Sequence, residues 1–272
     1  MVNGYTPTSL KEALEIRAAH DVIPYAGGTD LMIEEHRTGA YLFLNRVPEI
    51  KRISLEDGIL SLGAGCTFTE LIDHSLTPAL LKEALLLIAA PAIRNEGTIG
   101  GNIANGSAKA DSALIFFVAD AKLKLASTSG ERTLPIKEFY LGRKKLAMRN
   151  DELITQILLP TQWLENYYYQ KIGARKALAI SRTAFAGLMC VENEVIKHCA
   201  TAFGAVSDVI IRREDIDAML IGKTVSQAKE SKSAYLSAFE KAIVPIRGRV
   251  SAEYRKKVCL NLLNDFLSSN GI

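Results

Sequence analysis

The sequence predicts an α+β protein in three regions, and three patterns carry that expectation. A β–Gly-Gly–α–β unit fills the start, antiparallel strands with short helices follow, and three strands then give way to three helices. The expected boundaries are 1–54 for an N-terminal α/β subdomain and 55–164 for a second α+β subdomain. Residues 165–272 form a C-terminal domain of a three-stranded antiparallel sheet plus three helices.

The first helix is announced by Ser9 and Glu12 at capping-box spacing, with Leu10, Ala13, Leu14 and Ala18 as its apolar stripe. Val22–Ala26 is a buried strand, Gly27 and Gly28 break it, a short helix runs from Leu31 toward Gly39, and "YLFLN" is the next strand. In "KRISLEDGILSLGAG", Asp57-Gly58 marks a hairpin turn between alternating strands. Helices are expected at 67–74 and 79–90. The small, irregular stretch 98–111, "TIGGNIANGSAKAD", is expected as a loop, and a helix starts at Asp111. "AKLKLAST" and "ELITQILLP" are strands, the second stopped by Pro160. "NYYYQKIGA", "AFAGLMCVE" and "VIKHCATAFGAV" form the last sheet, with Asn193 at its second turn. Helices at 212–220, 224–242 and 251–268 close the chain, the last with Tyr254, Val258, Leu262 and Leu263 on one face.

Composition excludes several classes. The 272 residues are 48% hydrophobic and 23% charged, enough to bury a core without disulfides or metal. A net charge of +3 is too mild to track a nucleic-acid backbone. The start lacks a basic-then-apolar leader and the longest apolar run is broken by Lys82, Glu83 and Pro91, so a cytoplasmic protein without a membrane span is expected. Cys66, Cys190, Cys199 and Cys259 share no C-x-x-C spacing, and His20, His36, His74 and His198 are scattered, so no metal ligand set is expected.

Two segments place adjacent glycines where a strand ends: "AGGTDL" (26–31) and "TIGGNIANGSAKAD" (98–111). Glycine lets backbone N–H groups converge on an anion, and Thr29, Thr98, Ser107 and Asn102 add polar side chains. Two such loops suit a diphosphate; tight turns alone would account for the same residues. Gly101 and Gly106 have Walker A spacing, but Ser107 stands where the lysine belongs, and neither loop is G-x-G-x-x-G.

"AGGTDL", "AIRNEGTIGGNIANGSAKADS" and "FYLGRKKLAMRNDELITQILLP", followed by "RKALAISRTAFAG" and "SAEYRKKVCLNLL", resemble in order the FAD-binding subunit of the molybdenum hydroxylases. That family includes xanthine, carbon monoxide and nicotinate dehydrogenases. The resemblance implies a PCMH-type FAD-binding fold of two α/β subdomains plus a flavoprotein C-terminal domain. It implies FAD on this chain, iron–sulfur clusters and molybdopterin on partner chains, and NAD as a possible electron acceptor. The partners would be an iron–sulfur subunit and a molybdopterin-binding subunit. Ala26, Gly27, Gly28, Thr29, Asp30 and Leu31 would line the pyrophosphate, with Thr98, Ile99, Gly100, Gly101 and Asn102 closing from the second subdomain. Ser107 and Asp111 would reach toward the adenosine ribose and phosphates, and Lys145 would lie near the flavin ring. No acid–base or nucleophilic residue is implied. "NGSAKADSA" is most similar to bacterial xanthine dehydrogenase flavin subunits, which makes a xanthine or purine dehydrogenase the expected complex. A nicotinate, carbon monoxide or other aromatic or aldehyde dehydrogenase, or a stand-alone FAD reductase, is the alternative. The chain departs from the family at Leu146, where threonine is common, at Gly106, where alanine is common, and in lacking a proline in "GSAKAD".

Overall fold

The computed structural model describes residues 4–33, 39–246, 248 and 250–272. It divides into two compact units. The first comprises Met1–Thr77, Ile88–Gly106 and Asp120–Pro160; the second comprises Pro78–Leu87, Ser107–Ala119 and Thr161–Ile272. The sheets of both expected N-terminal subdomains therefore lie in the first unit, while three pieces of the 55–164 region (78–87, 107–119 and 161–164) belong with the C-terminal residues.

The chain opens with β1 (Gly4–Tyr5), α1 (Leu10–Ala19), β2 (Val22–Tyr25) and β3 (Ala40–Phe43), whose strands form a parallel sheet ordered β1-β3-β2. Ser9 caps α1 by accepting from the Glu12 N–H at 3.2 Å. The Glu12 carboxylate reaches one residue further back than a capping box requires, accepting from the Thr8 N–H at 2.7 Å. Ala13 and Leu14 are buried, but Ala18 is exposed, so the predicted stripe is shorter than its spacing suggested. Most of the helix expected after Leu31, with His36, lies outside the described residues.

β4 (Ile53–Glu56) and β5 (Ile59–Gly63) pair through Asp57 (φ 49°) and Gly58 (φ 73°), the two left-handed residues a tight hairpin turn needs. Five helices follow: α2 (Phe68–Asp73), α3 (Ala79–Leu86), α4 (Pro91–Arg94), α5 (Ile99–Ala104) and α6 (Asp111–Val118). The helix α5 corrects the expectation of a loop at 98–111. Thr98 caps it by accepting from the Gly101 N–H at 3.1 Å, and tertiary contact overrides the poor propensity of its two glycines.

β6 (Lys122–Ser127) and β7 (Gly130–Pro135) form a hairpin, followed by α7 (Ile136–Phe139), β8 (Tyr140–Gly142), β9 (Lys145–Leu146) and β10 (Leu153–Pro160). An antiparallel sheet ordered β4-β5-β10-β6-β7 results. Its apolar centre is β10; β7, an edge strand reading "GERTLP", lacks the apolar alternation by which strands are recognised.

In the second unit, β11 (Tyr167–Ile172), β12 (Thr183–Glu192), β13 (Val195–Gly204) and β14 (Ile211–Arg212) form an antiparallel sheet in that order. It has four strands where three were expected, because β14 takes the place of the start of the predicted 212–220 helix. Asn193 and Glu194, both left-handed, make the two-residue turn between β12 and β13. The chain ends with α8 (Glu214–Asp217), α9 (Val225–Ala242) and α10 (Ala252–Ser269). β12 is buried on both faces: Phe185 and Gly187 meet Phe266 of α10, while Ala184 faces Gly204 and Leu114 of α6. The buried face of α10 carries Arg255, Cys259, Leu262, Leu263, Phe266 and Leu267; Tyr254 is 48% exposed, so the predicted stripe was rotated by one residue at its start. Among the described residues no helix is long and apolar enough to cross a membrane.

One polar network lies inside this second core. Asp217 accepts from the Thr201 N–H (2.9 Å), the Thr201 hydroxyl (2.7 Å) and the Tyr235 hydroxyl (2.6 Å), and pairs with Arg212. Removing one member of a buried ion pair leaves the other uncompensated, so Asp217→Ala is expected to destabilise the protein by about 3–5 kcal/mol. Denaturant unfolding checks this, with Asp215→Ala, at an exposed Arg213 pair, as the control that should leave the midpoint unchanged.

Candidate functional site

The two glycine segments are brought together inside the first unit. A Cβ at Gly27 would lie 1.9 Å from the Glu96 carbonyl oxygen, so the two backbones touch there. Gly28 has φ +70°, and a Cβ on it would meet the Tyr25 hydroxyl at 2.1 Å. Further along, Asn105 donates from Nδ2 to the Asp30 carboxylate at 2.7 Å. Gly100 abuts the end of β5, where a Cβ would lie 2.5 Å from that of Ala64. Gly101 differs from these three: an added Cβ would meet only the Thr98 Oγ1, at 2.8 Å.

Beside this junction is a cavity of about 400 Å³, within the range of small-molecule and cofactor sites. Ala26, Gly27, Gly28, Thr29, Asp30 and Leu31 line one side, and Thr98, Gly100, Gly101 and Asn102 another. Elsewhere its wall has an apolar part, with Ile23, Leu44, Ile50 and Leu153. The two sides differ in hydrogen bonding. Among the described residues, no backbone N–H of Ala26–Leu31 donates to a protein group. On α5, Ile99 N–H donates to Cys66 (2.9 Å), Gly100 N–H to Ala64 (2.8 Å) and Gly101 N–H to the Thr98 hydroxyl. Donors available to an anion thus come from the first segment, while the second contributes shape.

Four predicted residues do not line this cavity. Ile99 is fully buried under α5. Ser107 and Asp111 belong to the second unit, where the Ser107 hydroxyl accepts from the Lys109 N–H at 3.2 Å. Asp111 is 6% exposed and accepts from Lys171 Nζ (2.7 Å) and the Ser181 hydroxyl (2.5 Å). Burial pushes its carboxyl up, and Lys171 opposes that shift. Lys145 is exposed on β9, and its neighbour Lys144 lines the cavity instead. Gly106 explains the approach of Lys144: it has φ +62°, a Cβ there would lie 3.0 Å from the Lys144 Cα, and its carbonyl accepts the Lys144 N–H. The glycine where alanine is common thus takes a left-handed conformation in close contact with Lys144.

Arg17 is a lining residue that sequence reasoning missed. At the end of an amphipathic helix it reads as a partner for the helix dipole, and nothing in the local sequence marks it otherwise. Its guanidinium donates to the Val22 carbonyl, while its Nε is buried without an acceptor. Burial lowers its pKa, opposed by Asp21 and Asp151. Cys66, beyond the end of β5 and not in the cavity lining, is held as a thiol, pushed up to about 11 by burial. Among the described residues no group of three or more His, Cys, Asp or Glu could hold a metal ion.

A two-segment cradle with unspent backbone donors and an apolar extension is the kind of site that suits a phosphorylated aromatic cofactor. Residues 1–162 match the model of the FAD binding domain in molybdopterin dehydrogenase, and residues 167–269 match the CO dehydrogenase flavoprotein C-terminal domain. The chain belongs to the FAD-binding medium subunits of the molybdenum hydroxylases, a family of oxidoreductase components. It is 37% identical over 198 residues to the xanthine dehydrogenase FAD-binding subunit of Escherichia coli O157:H7, covering 69% of this chain and 68% of that protein. It is 27% identical over 272 residues to the nicotinate dehydrogenase FAD-subunit of Eubacterium barkeri, covering 93% and 90%. Among solved structures, a carbon monoxide dehydrogenase from Hydrogenophaga pseudoflava superposes with a TM-score of 0.89 at 26% identity, covering 97% of this chain and 94% of that one.

The contact at Gly27 leads to a direct test. Gly27→Ala places a methyl group against backbone that has no side-chain freedom to yield, and should lower the thermal midpoint of the first unit. An unchanged melting curve would show that the two segments separate at little cost.

Proposed function

We propose that FAD occupies the cavity of the first unit and that this chain is the electron-exit subunit of a xanthine or purine dehydrogenase. The observation that carries the FAD placement is the run of unspent N–H groups from Ala26 to Leu31 facing a cavity with an apolar extension. Those donors would hold the diphosphate. Gly101, the one glycine of the cradle whose missing side chain opens mainly on the cavity, would leave room for it. Arg17 and Lys144 would add positive charge along the same wall. When bound, FAD supplies the chemistry that joins one-electron and hydride transfer. The protein's part is to bind, orient and exclude water, and it needs no nucleophile or acid–base pair.

In this reading, electrons arrive from iron–sulfur clusters on one partner chain after substrate oxidation at a molybdopterin centre on another, and NAD is the acceptor. The greater identity to the xanthine dehydrogenase subunit than to the nicotinate dehydrogenase subunit favours a purine substrate for the complex. Reduction of the flavin by NADH in the isolated, FAD-loaded chain is the expected sign of NAD as partner; a flavin that NADH leaves oxidised counts against it.

The purified chain is expected to take up FAD, seen as quenched flavin fluorescence on titration. Gly101→Val should abolish that uptake while the circular dichroism stays near native, and retained uptake would remove α5 from the site. Arg17→Leu should weaken FAD binding about tenfold, the loss of one charge-assisted donor. Equal affinity in that variant would make Arg17 a structural residue only.

A further inference from the structure

The second unit contains its own cavity, of about 310 Å³, which shares no residue with the flavin cavity. Among the described residues its ionisable lining is Lys109, Arg175, Arg182 and Arg255, with no Asp or Glu. Arg255, in the first turn of α10, is only 4% exposed. One of its Nη atoms donates to the carbonyls of Ala205 (3.3 Å) and Val206 (3.2 Å); its Nε and its other Nη are buried without an acceptor. Gly248 lies against the same guanidinium, close enough that a Cβ would stand 3.1 Å from it.

The neighbouring acid does not answer this charge. Asp111 accepts from Ser181, which lines the cavity, but it is already paired with Lys171. Arg175 holds the β11–β12 connection by donating to the Ala177 (3.0 Å) and Leu178 (2.7 Å) carbonyls. A buried guanidinium with unmade hydrogen bonds is costly, and further cations around the same concavity add to the positive potential there. An anion in the cavity would offset that charge. Locking the start of α10 in place needs only the two carbonyl contacts of Arg255, and leaves Lys109 and Arg182 on the wall unexplained.

We propose that this cavity is an anion site that takes the phosphate groups of a small ligand. Guanidinium groups match phosphate oxygens in geometry as well as charge, and three of them with a lysine suit a doubly phosphorylated group better than a carboxylate. The phosphates could belong to a free polyphosphate or to a nucleotide.

Calorimetric titration of the full chain with inorganic pyrophosphate tests the proposal. With the first unit's diphosphate cradle saturated by FAD, saturable binding of one pyrophosphate per chain, weakening as salt is added, is expected. The double variant Lys109→Ala/Arg182→Ala, at positions outside the core, should bind at least about tenfold more weakly. Arg255→Lys, which retains charge but not the fork, should also bind more weakly; if it does not fold, the double variant decides. Gly101→Val, aimed at the flavin cavity, should leave pyrophosphate binding unchanged, so a failure of FAD binding and a failure of this site are read separately. ADP binding more tightly than pyrophosphate at the same site would assign the phosphates to a nucleotide, and equal or weaker binding would assign a free polyphosphate. Absence of saturable heat, or equal binding by the double variant, would overturn the site.

Discussion

The contact of backbone on backbone at Gly27 is the constraint on which the first unit's cavity depends. With 1.9 Å between the position of a Gly27 Cβ and the Glu96 carbonyl oxygen, no other residue allows the segment after β2 to sit against the segment before α5. The same close approach recurs at Gly100, where α5 meets the end of β5. Once these segments are in contact, Asn105 reaches Asp30 and the cavity wall is continuous across two sheets of different character, one parallel and one antiparallel. Glycine acts here mainly through the space it leaves between protein segments. Only Gly101 leaves its space chiefly to the cavity.

Hydrogen-bond accounting then separates the two sides of the cradle. A first turn of helix ordinarily offers unpaired N–H groups, and α5 would seem to provide them. Thr98, Ala64 and Cys66 consume them, so α5 is anchored to the sheet and contributes a rigid surface. Among the described residues no strand or helix supplies acceptors to the irregular segment Ala26–Leu31, so its donors are left for the proposed diphosphate.

The second unit shows the same accounting for full charges. Asp217 and Arg212 satisfy one another within a network that includes Thr201 and Tyr235, and Asp111 and Lys171 do so with Ser181. Cys199 sits beside the Asp217 network and Cys259 near Arg255, both as protonated thiols raised by burial, Cys259 to about 12. Arg255 stands apart from this pattern, since its contacts are carbonyls and two of its nitrogens are left over. The buried acids Asp111 and Asp217 each have a cation partner, whereas Arg255 meets only carbonyls.

Local chemistry was legible wherever a residue type has few conformational choices. Asp57-Gly58 and Asn193 marked hairpin turns, Ser9 marked a helix start, and the apolar run of β10 marked a central strand. The paired glycines and the ordered motifs likewise led to the FAD-binding family and to two of the segments that line the cavity. By itself, then, the sequence determined the main hairpins and helix starts, the family and the position of the two glycine segments, because turn, cap and close-approach chemistry is written in adjacent residues. Only the tertiary structure decided that α5 is a helix, that Asp111 is spent on Lys171, that Lys144 faces the cavity in place of Lys145, and that Arg17 joins it from α1. Each of those outcomes depends on which distant groups meet a side chain or a backbone N–H, and such meetings leave no trace in local spacing.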